Sequence, residues 1–240
     1  RFINIGNNMK INTVTWRKRK LAFWNRVLED LEIGYLDKDL LPLLLLLNLD
    51  SKIYSMSSCS GRITLIEGEF PWSRGDTEIL FKKHTLITPD EVLRVYHGKV
   101  LRKLWFIVTG PIIHLSTLEP SLGLKILKTA RELGYKHSGI LHVSKTKGVI
   151  IELATGIWVS QLLKTKDEVV VNNEKLILLV EEFNKILMEG KKRLNELYYS
   201  LKQVLPIEKD PDIVGSVEAL NLMAASKPPL QLFLELSGRR

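Results

Sequence analysis

Cysteine is almost absent from this chain: Cys59 stands alone among 240 residues. A single thiol excludes an intrachain disulfide and a cysteine-based zinc cage, and it fits a reducing, cytoplasmic compartment. No apolar run is long enough to cross a bilayer. The greasiest one, Leu40–Leu49, contains Pro42 and Asn48 and predicts a buried core helix. The histidines, His84, His97, His114, His137 and His142, show no metal-ligand spacing, so no metal site is expected. No G-x-G-x-x-G follows a strand and opens a helix, and there is no P-loop; the usual phosphate-cradling loops are excluded. The first eight residues lack the apolar core of a signal peptide, and Met9-Lys10 looks like a natural start. Residues 1–14 are therefore expected to be a disordered extension outside the fold.

What is present is a basic, ordinary globular composition. Apolar residues make up 45% and charged residues 26%, enough for a real core. Lys and Arg outnumber Asp and Glu by 35 to 27, a net +8, which suits a polyanionic partner and equally suits plain solubility. Apolar spacing predicts helices over 15–33, stopped by Gly34, and over 37–48, with Pro42 in the first turn. Strands are expected in 52–57, 62–68 and 78–84, followed by a short helix over 89–96. The run 104–116 reads as a strand broken at Gly110-Pro111. A helix over 120–133 ends at Gly134, a hairpin turns around 145–147, and a long helix covers 173–204. Residues 15–205 form one domain in this reading, with 206–240 as linker and loose tail.

One stretch asks for chemistry. Ser57, Ser58, Cys59 and Ser60 lead into Gly61 and Arg62 in a strand context. Hydroxyls and glycine leave the backbone approachable, and an arginine grips a carboxylate or phosphate bidentately. A polar edge strand with a glycine bulge explains the same residues. Cys59 is either a nucleophile or a small buried filler. His84 and His114 end strands, and each is a proton acceptor, a nucleobase contact or a structural histidine. A second Ser-Gly-Ile, at Ser138-Gly139-Ile140, echoes the first. The first turn of the opening helix carries Arg17, Lys18, Arg19 and Lys20, either an anion site or a solvated charge run.

In order along the chain, these blocks resemble the tRNA wybutosine-synthesising protein 3 family. The resemblance rests on Phe23-Trp24, on "SSCSGRI" (57–63), on Lys83-His84, on "GPIIH" (110–114), on "ARELGYKHSGI" (130–140) and on "KKRLNELY" (191–198). It departs at Gly110, where the family has glutamate, and near Glu152, where the family has arginine. The likeness implies an α/β fold of the α+β type: a mixed, largely antiparallel sheet flanked by helices, non-Rossmann, with a long C-terminal helix. It implies an S-adenosylmethionine-dependent methyltransferase acting on N4 of the tricyclic base beside the anticodon of phenylalanine tRNA. On that reading Ser57, Ser58, Ser60, Gly61 and Arg62 floor the cofactor and base pocket. His84 and His114 line it as catalytic residues, and Ser138 and Gly139 face it. Arg17, Lys18, Arg19, Lys20, Lys125, Lys128, Arg131, Lys191, Lys192 and Arg193 grip the tRNA backbone. Two other readings remain open at this point: a tRNA-binding protein of the same fold that has lost catalysis, and a basic protein-interaction module.

Overall fold

The computed structural model describes residues 10–73, 75–223 and 227–239. Helix α1 (Thr13–Glu32) starts on Asn12, whose side chain accepts the Thr15 N–H, and stops at Gly34 with φ of 73°. A 3-10 turn (Lys38–Leu40) leads into α2 (Leu41–Leu49), in which Leu41, Leu43, Leu44, Leu45 and Leu47 are all buried. A helix apolar all round belongs in a core, where each fully buried leucine contributes about 1.5–3 kcal/mol.

The strands form two four-stranded sheets in which every pairing is antiparallel. The first sheet takes β1 (Ile53–Cys59), β5 (Ile112–Thr117), β7 (Gly148–Ala154) and β6 (Gly139–Ser144), in that order. The second takes β3 (Glu78–Lys83), β2 (Arg62–Glu67), β4 (Lys103–Thr109) and β8 (Trp158–Thr165). Three chain segments cross from one sheet to the other side by side: β1 into β2 through Ser60-Gly61, β4 into β5 through Gly110-Pro111, and β7 into β8 through residues 155–157. The two sheets are thus one strongly creased surface, and the strand broken at Gly110-Pro111 is one of its three folds.

The crease explains its glycines. Gly61 has φ of 94°, and a Cβ there would lie 2.8 Å from the Thr109 carbonyl oxygen. A Cβ on Gly110 would lie 2.3 Å from Thr155 Oγ1 and 2.8 Å from Ile157 Cβ. The long helix α5 (Asn173–Val204) lies across the crease and serves both cores. Leu176, Val180, Phe183 and Leu187 pack into the core of the second sheet, and Leu194, Leu197 and Leu201 into that of the first. Between the two sets sits Gly190, where a Cβ would be 3.1 Å from Pro111 Cδ. Helices α3 (Pro89–Tyr96) and α4 (Pro120–Glu132) fall where the sequence predicts them.

Three expectations need correction. Helix α1 takes in Thr13 and Val14, so the N-terminal extension is shorter than fourteen residues; residues 1–9 lie outside the described part. Strand β8 has no counterpart among the expected strands, because it is an edge strand whose burial, exposed over Trp158–Ser160 and half-buried over most of the rest, follows no alternation. Residues 206–223 and 227–239 are not a loose tail. Ile213 and, on α6 (Val214–Met223), Val217 are fully buried in the first core, and Phe233 of α7 (Pro229–Leu236) in the second. Leucine and phenylalanine in a Pro-rich stretch resemble a linker until a groove exists to receive them.

Candidate active site

Strand β1 is the edge of the first sheet, and it packs against α1 and α2. Its register slips between Ser55 and Ser58, so Met56 and Ser57 together oppose His114. The serine-rich run is therefore a β-bulge that re-aims the strand. Above the bulge opens a cavity of about 370 Å³. Its floor is Ser55–Cys59 with Arg62, and its opposite wall is Phe23, Arg26, Val27 and Asp30 of α1. Tyr35, Asp37, Lys82 and His84 complete the rim. Phe23, Arg26 and Asp30 recur at helical spacing, so one stripe of α1 presents to the space an aromatic ring and an ion pair, Arg26 Nε donating to Asp30 Oδ1 at 2.9 Å.

Asp37, Cys59 and His84 meet on this cavity. His84 Nδ1 lies 3.0 Å from Asp37 Oδ2 and 3.9 Å from Cys59 Sγ. The same Asp37 oxygen accepts the Ser60 N–H at 2.9 Å. Burial disfavours the charge on His84, but Asp37, and after it Cys59, outweigh burial and raise its pKa from 6.5 to about 9. Burial likewise opposes ionisation of Asp37, and the His84 and Ser60 hydrogen bonds overcome it and lower its pKa. At neutral pH the pair is an imidazolium held by a carboxylate. Its donor atoms, with Cys59 Sγ, all lie within 4.8 Å of one another. A metal ion there would have to displace the bound proton first, and the hydrogen bonds already satisfy the group.

The sequence-derived residues separate into those that line this cavity and those that do not. Ser57, Ser58, Arg62 and His84 line it. Ser60 and Gly61 are buried beneath it: the Ser60 hydroxyl faces away and accepts from Lys191 Nζ at 2.6 Å. His114 stands beside the cavity, its Nδ1 2.8 Å from the Ser57 carbonyl and its Nε2 2.8 Å from Glu152 Oε2. It braces the bulge rather than facing the space. Ser138 and Gly139 do not form the facing wall. Gly139 pairs with β7, and β5 stands between β7 and β1, so about three strand spacings, roughly 14 Å, separate the two Ser-Gly stretches. Ser138 is buried, its hydroxyl accepting the Ala154 N–H. The two departures, Gly110 and Glu152, both lie outside the cavity lining.

Among the cations, Lys20 and Lys191 are corrected outright, since both are fully buried and cannot reach a nucleic-acid backbone. Arg17 is bound to Asp210 and Asp212, and Arg193 to Glu189. Lys18, Lys125, Lys128, Arg131 and Lys192 are exposed, while Arg19 is half-buried with its guanidinium over the Phe23 ring. Sequence reasoning missed Asp37, Arg26, Asp30, Tyr35 and Lys82. Helical spacing from Phe23 gives Arg26 and Asp30; nothing local to Asp37 marks it.

Residues 18–203 match the family model described as Methyltransferase TYW3. A protein of Saccharolobus solfataricus is 42% identical over 185 residues, 77% of this chain and 88% of that one. It is named tRNA(Phe) 7-((3-amino-3-carboxypropyl)-4-demethylwyosine(37)-N(4))-methyltransferase. A protein of the same name from Aeropyrum pernix is 38% identical over 69% of this chain and 87% of its own. The solved structure of the PH1069 protein from Pyrococcus horikoshii superposes with a TM-score of 0.72 at 28% identity, covering 79% of this chain and 97% of that one. A non-Rossmann creased sheet, a serine-rich bulge beneath a polar cavity and a match across most of the chain agree: the protein belongs to the TYW3 methyltransferase family.

Proposed function

We propose that the cavity over β1 binds S-adenosylmethionine and the wyosine-type base next to the anticodon of phenylalanine tRNA, and that methyl transfer to N4 of that base occurs there. The observation that carries this reading is the lining: cations Arg26, Arg62 and Lys82, carboxylates Asp30 and Asp37, and the rings of Phe23 and Tyr35 surround one space. An amino-acid moiety needs a cation for its carboxylate and an anion for its ammonium, and a purine needs an aromatic face. The cavity has all three. When bound, the sulfonium supplies an electrophilic methyl group with a good leaving group. Arg62, unpaired among the described residues, is suited to a carboxylate. Ser57 and Ser58 let a ligand approach the bulged backbone closely.

The protein's work in such a displacement is alignment and exclusion of water. His84 is already protonated at neutral pH, so it orients the target base as a hydrogen-bond donor and does not accept the released proton. Lys18, Lys125, Lys128, Arg131 and Lys192 serve the RNA backbone, in a cytoplasmic setting. To test this, S-adenosylhomocysteine is titrated calorimetrically into the protein and into Arg62→Ala. Saturable heat that Arg62→Ala removes is the expected result. Undermodified tRNA is then incubated with protein and S-adenosylmethionine and weighed by mass spectrometry. An unchanged base mass despite cofactor binding overturns the catalytic assignment.

A further inference from the structure

The floor strand of the cavity is pinned at both ends by a buried ammonium. At its start, Lys20 Nζ donates to the carbonyls of Asn48 (2.9 Å), Asp50 and Ile53 (2.7 Å). At its end, Lys191 Nζ donates to Asp39 Oδ2 at 2.7 Å, Ser60 Oγ at 2.6 Å and the Gly61 carbonyl at 3.3 Å. Ser60 in turn donates its N–H to Asp37, which holds His84. A charge taken fully out of water persists only where partners replace its hydration.

Each lysine takes one of those partners from the C-terminal segment, which lies beyond the residues matched by the family model. Asp210 Oδ2 is 3.2 Å from Lys20 Nζ, and Lys191 Nζ lies 5.0 Å from the centre of the buried Phe233 ring. The segment is fastened independently of these two contacts. Asp210 N–H donates to the Leu49 carbonyl, Ser51 N–H to the Glu208 carbonyl, and Leu86 N–H, two residues past His84, to Ser237 Oγ. Burial lowers the Lys20 ammonium to about 8, and Asp210 is the main group that opposes this. Without Asp210 the charge that ties Ile53 down would be lost more readily near neutral pH.

We infer that the C-terminal segment, residues 206–223 and 227–239, is a positioning element of the active site: Asp210 and Phe233 stabilise the two buried lysines that set the conformation of the chain from Ile53 to Gly61. This rests on the reading of the cavity over β1 as the site of methyl transfer. The consequence is that two side chains that do not line the cavity control its floor and, through Ser60 and Asp37, the protonation of His84.

The test uses the full chain carrying Asp210→Asn or Phe233→Leu, with Glu235→Gln on the exposed face of α7 as control. The local readout needs no cofactor: the rate at which iodoacetamide alkylates Cys59, the single thiol, on β1. Global stability is measured under the same conditions so that whole-molecule opening is subtracted. Either variant is expected to raise the subtracted rate by about fivefold, the population change of roughly one kcal/mol. Glu235→Gln leaves it at the wild-type value. In methylation assays the variants lower kcat and move its alkaline limb toward neutral pH, with KM for tRNA unchanged. Wild-type Cys59 reactivity in both variants overturns the inference. Should Asp210→Asn fail to fold, Phe233→Leu decides alone. Failure of the wild-type protein to bind S-adenosylhomocysteine would instead overturn the cavity assignment, and the Cys59 rates would still judge the clamp.

Discussion

His84 shows how one residue's chemistry depends on two neighbours, Asp37 and Cys59. Its pKa in the fold, about 9, exceeds its ordinary 6.5, so the ion pair with Asp37 contributes its full stability below pH 6.5 and loses it as pH rises through 9. Methyl transfer that needs the imidazolium follows the same limb. In a pH–rate profile, kcat is expected to hold from neutrality to about pH 9 and fall beyond it. Asp37→Asn removes the counter-ion and brings that limb down toward 6.5. It also costs about 2 kcal/mol, the worth of a hydrogen bond to a charged group, as read from urea midpoints. A wild-type limb already near 6.5 would refute the assignment. Arg62 is expected to behave differently. Arg62→Ala weakens cofactor binding by at least about tenfold, as measured by calorimetry, and leaves the His84 limb in place, because Arg62 makes no bond to the Asp37–His84 pair.

At the scale of elements, the crease is what turns two ordinary sheets into a site. Gly61 lets β1 bend across the crease into β2 while keeping its register against β4 and β5, and the same bend delivers Ser60 to Asp37 and Lys191. Gly61→Ala forces a Cβ to within 2.8 Å of the Thr109 oxygen in a left-handed conformation. The expected loss is about 1–3 kcal/mol of stability, read by denaturant titration, together with a fall in methylation. The serine-rich bulge, not the glycine, re-aims the strand over the cavity. Its brace is His114, through the Ser57 carbonyl and Glu152. Glu152 therefore has a structural role here: its carboxylate holds His114 Nε2 at 2.8 Å.

Across the whole molecule, the net charge of +8 is not spread as a uniform coat. Two of the ten cations expected to contact RNA are interior struts. Removing an exposed cation, as in Lys128→Ala or Arg131→Ala, is expected to lower the slope of log affinity for tRNA against log salt. The drop is about 0.7–0.9 for each phosphate that is no longer neutralised. Conservative replacement of Lys191 by Arg is expected to leave that slope unchanged and to reduce stability, since the wider guanidinium must enter a closed space. A filter-binding series from low to high salt separates the two. An unchanged slope in Lys128→Ala and Arg131→Ala would remove α4 from the RNA surface.

Local pattern determined much of this protein. Helical periodicity and Gly stops located α1, α3, α4 and α5 to within a residue or two, and the break at Gly110-Pro111 marked one fold of the crease. The Ser-Ser-Cys-Ser-Gly-Arg block pointed to the strand that floors the cavity. Those signals are carried by neighbours in the chain, so they survive without a fold. Only the tertiary structure decided that β5 and β7 separate Ser138-Gly139 from β1, that Asp37 meets His84, and that Lys20 and Lys191 point inward. Strand order, burial of a charge and the pairing of residues far apart in sequence depend on which surfaces meet, and no local pattern encodes that.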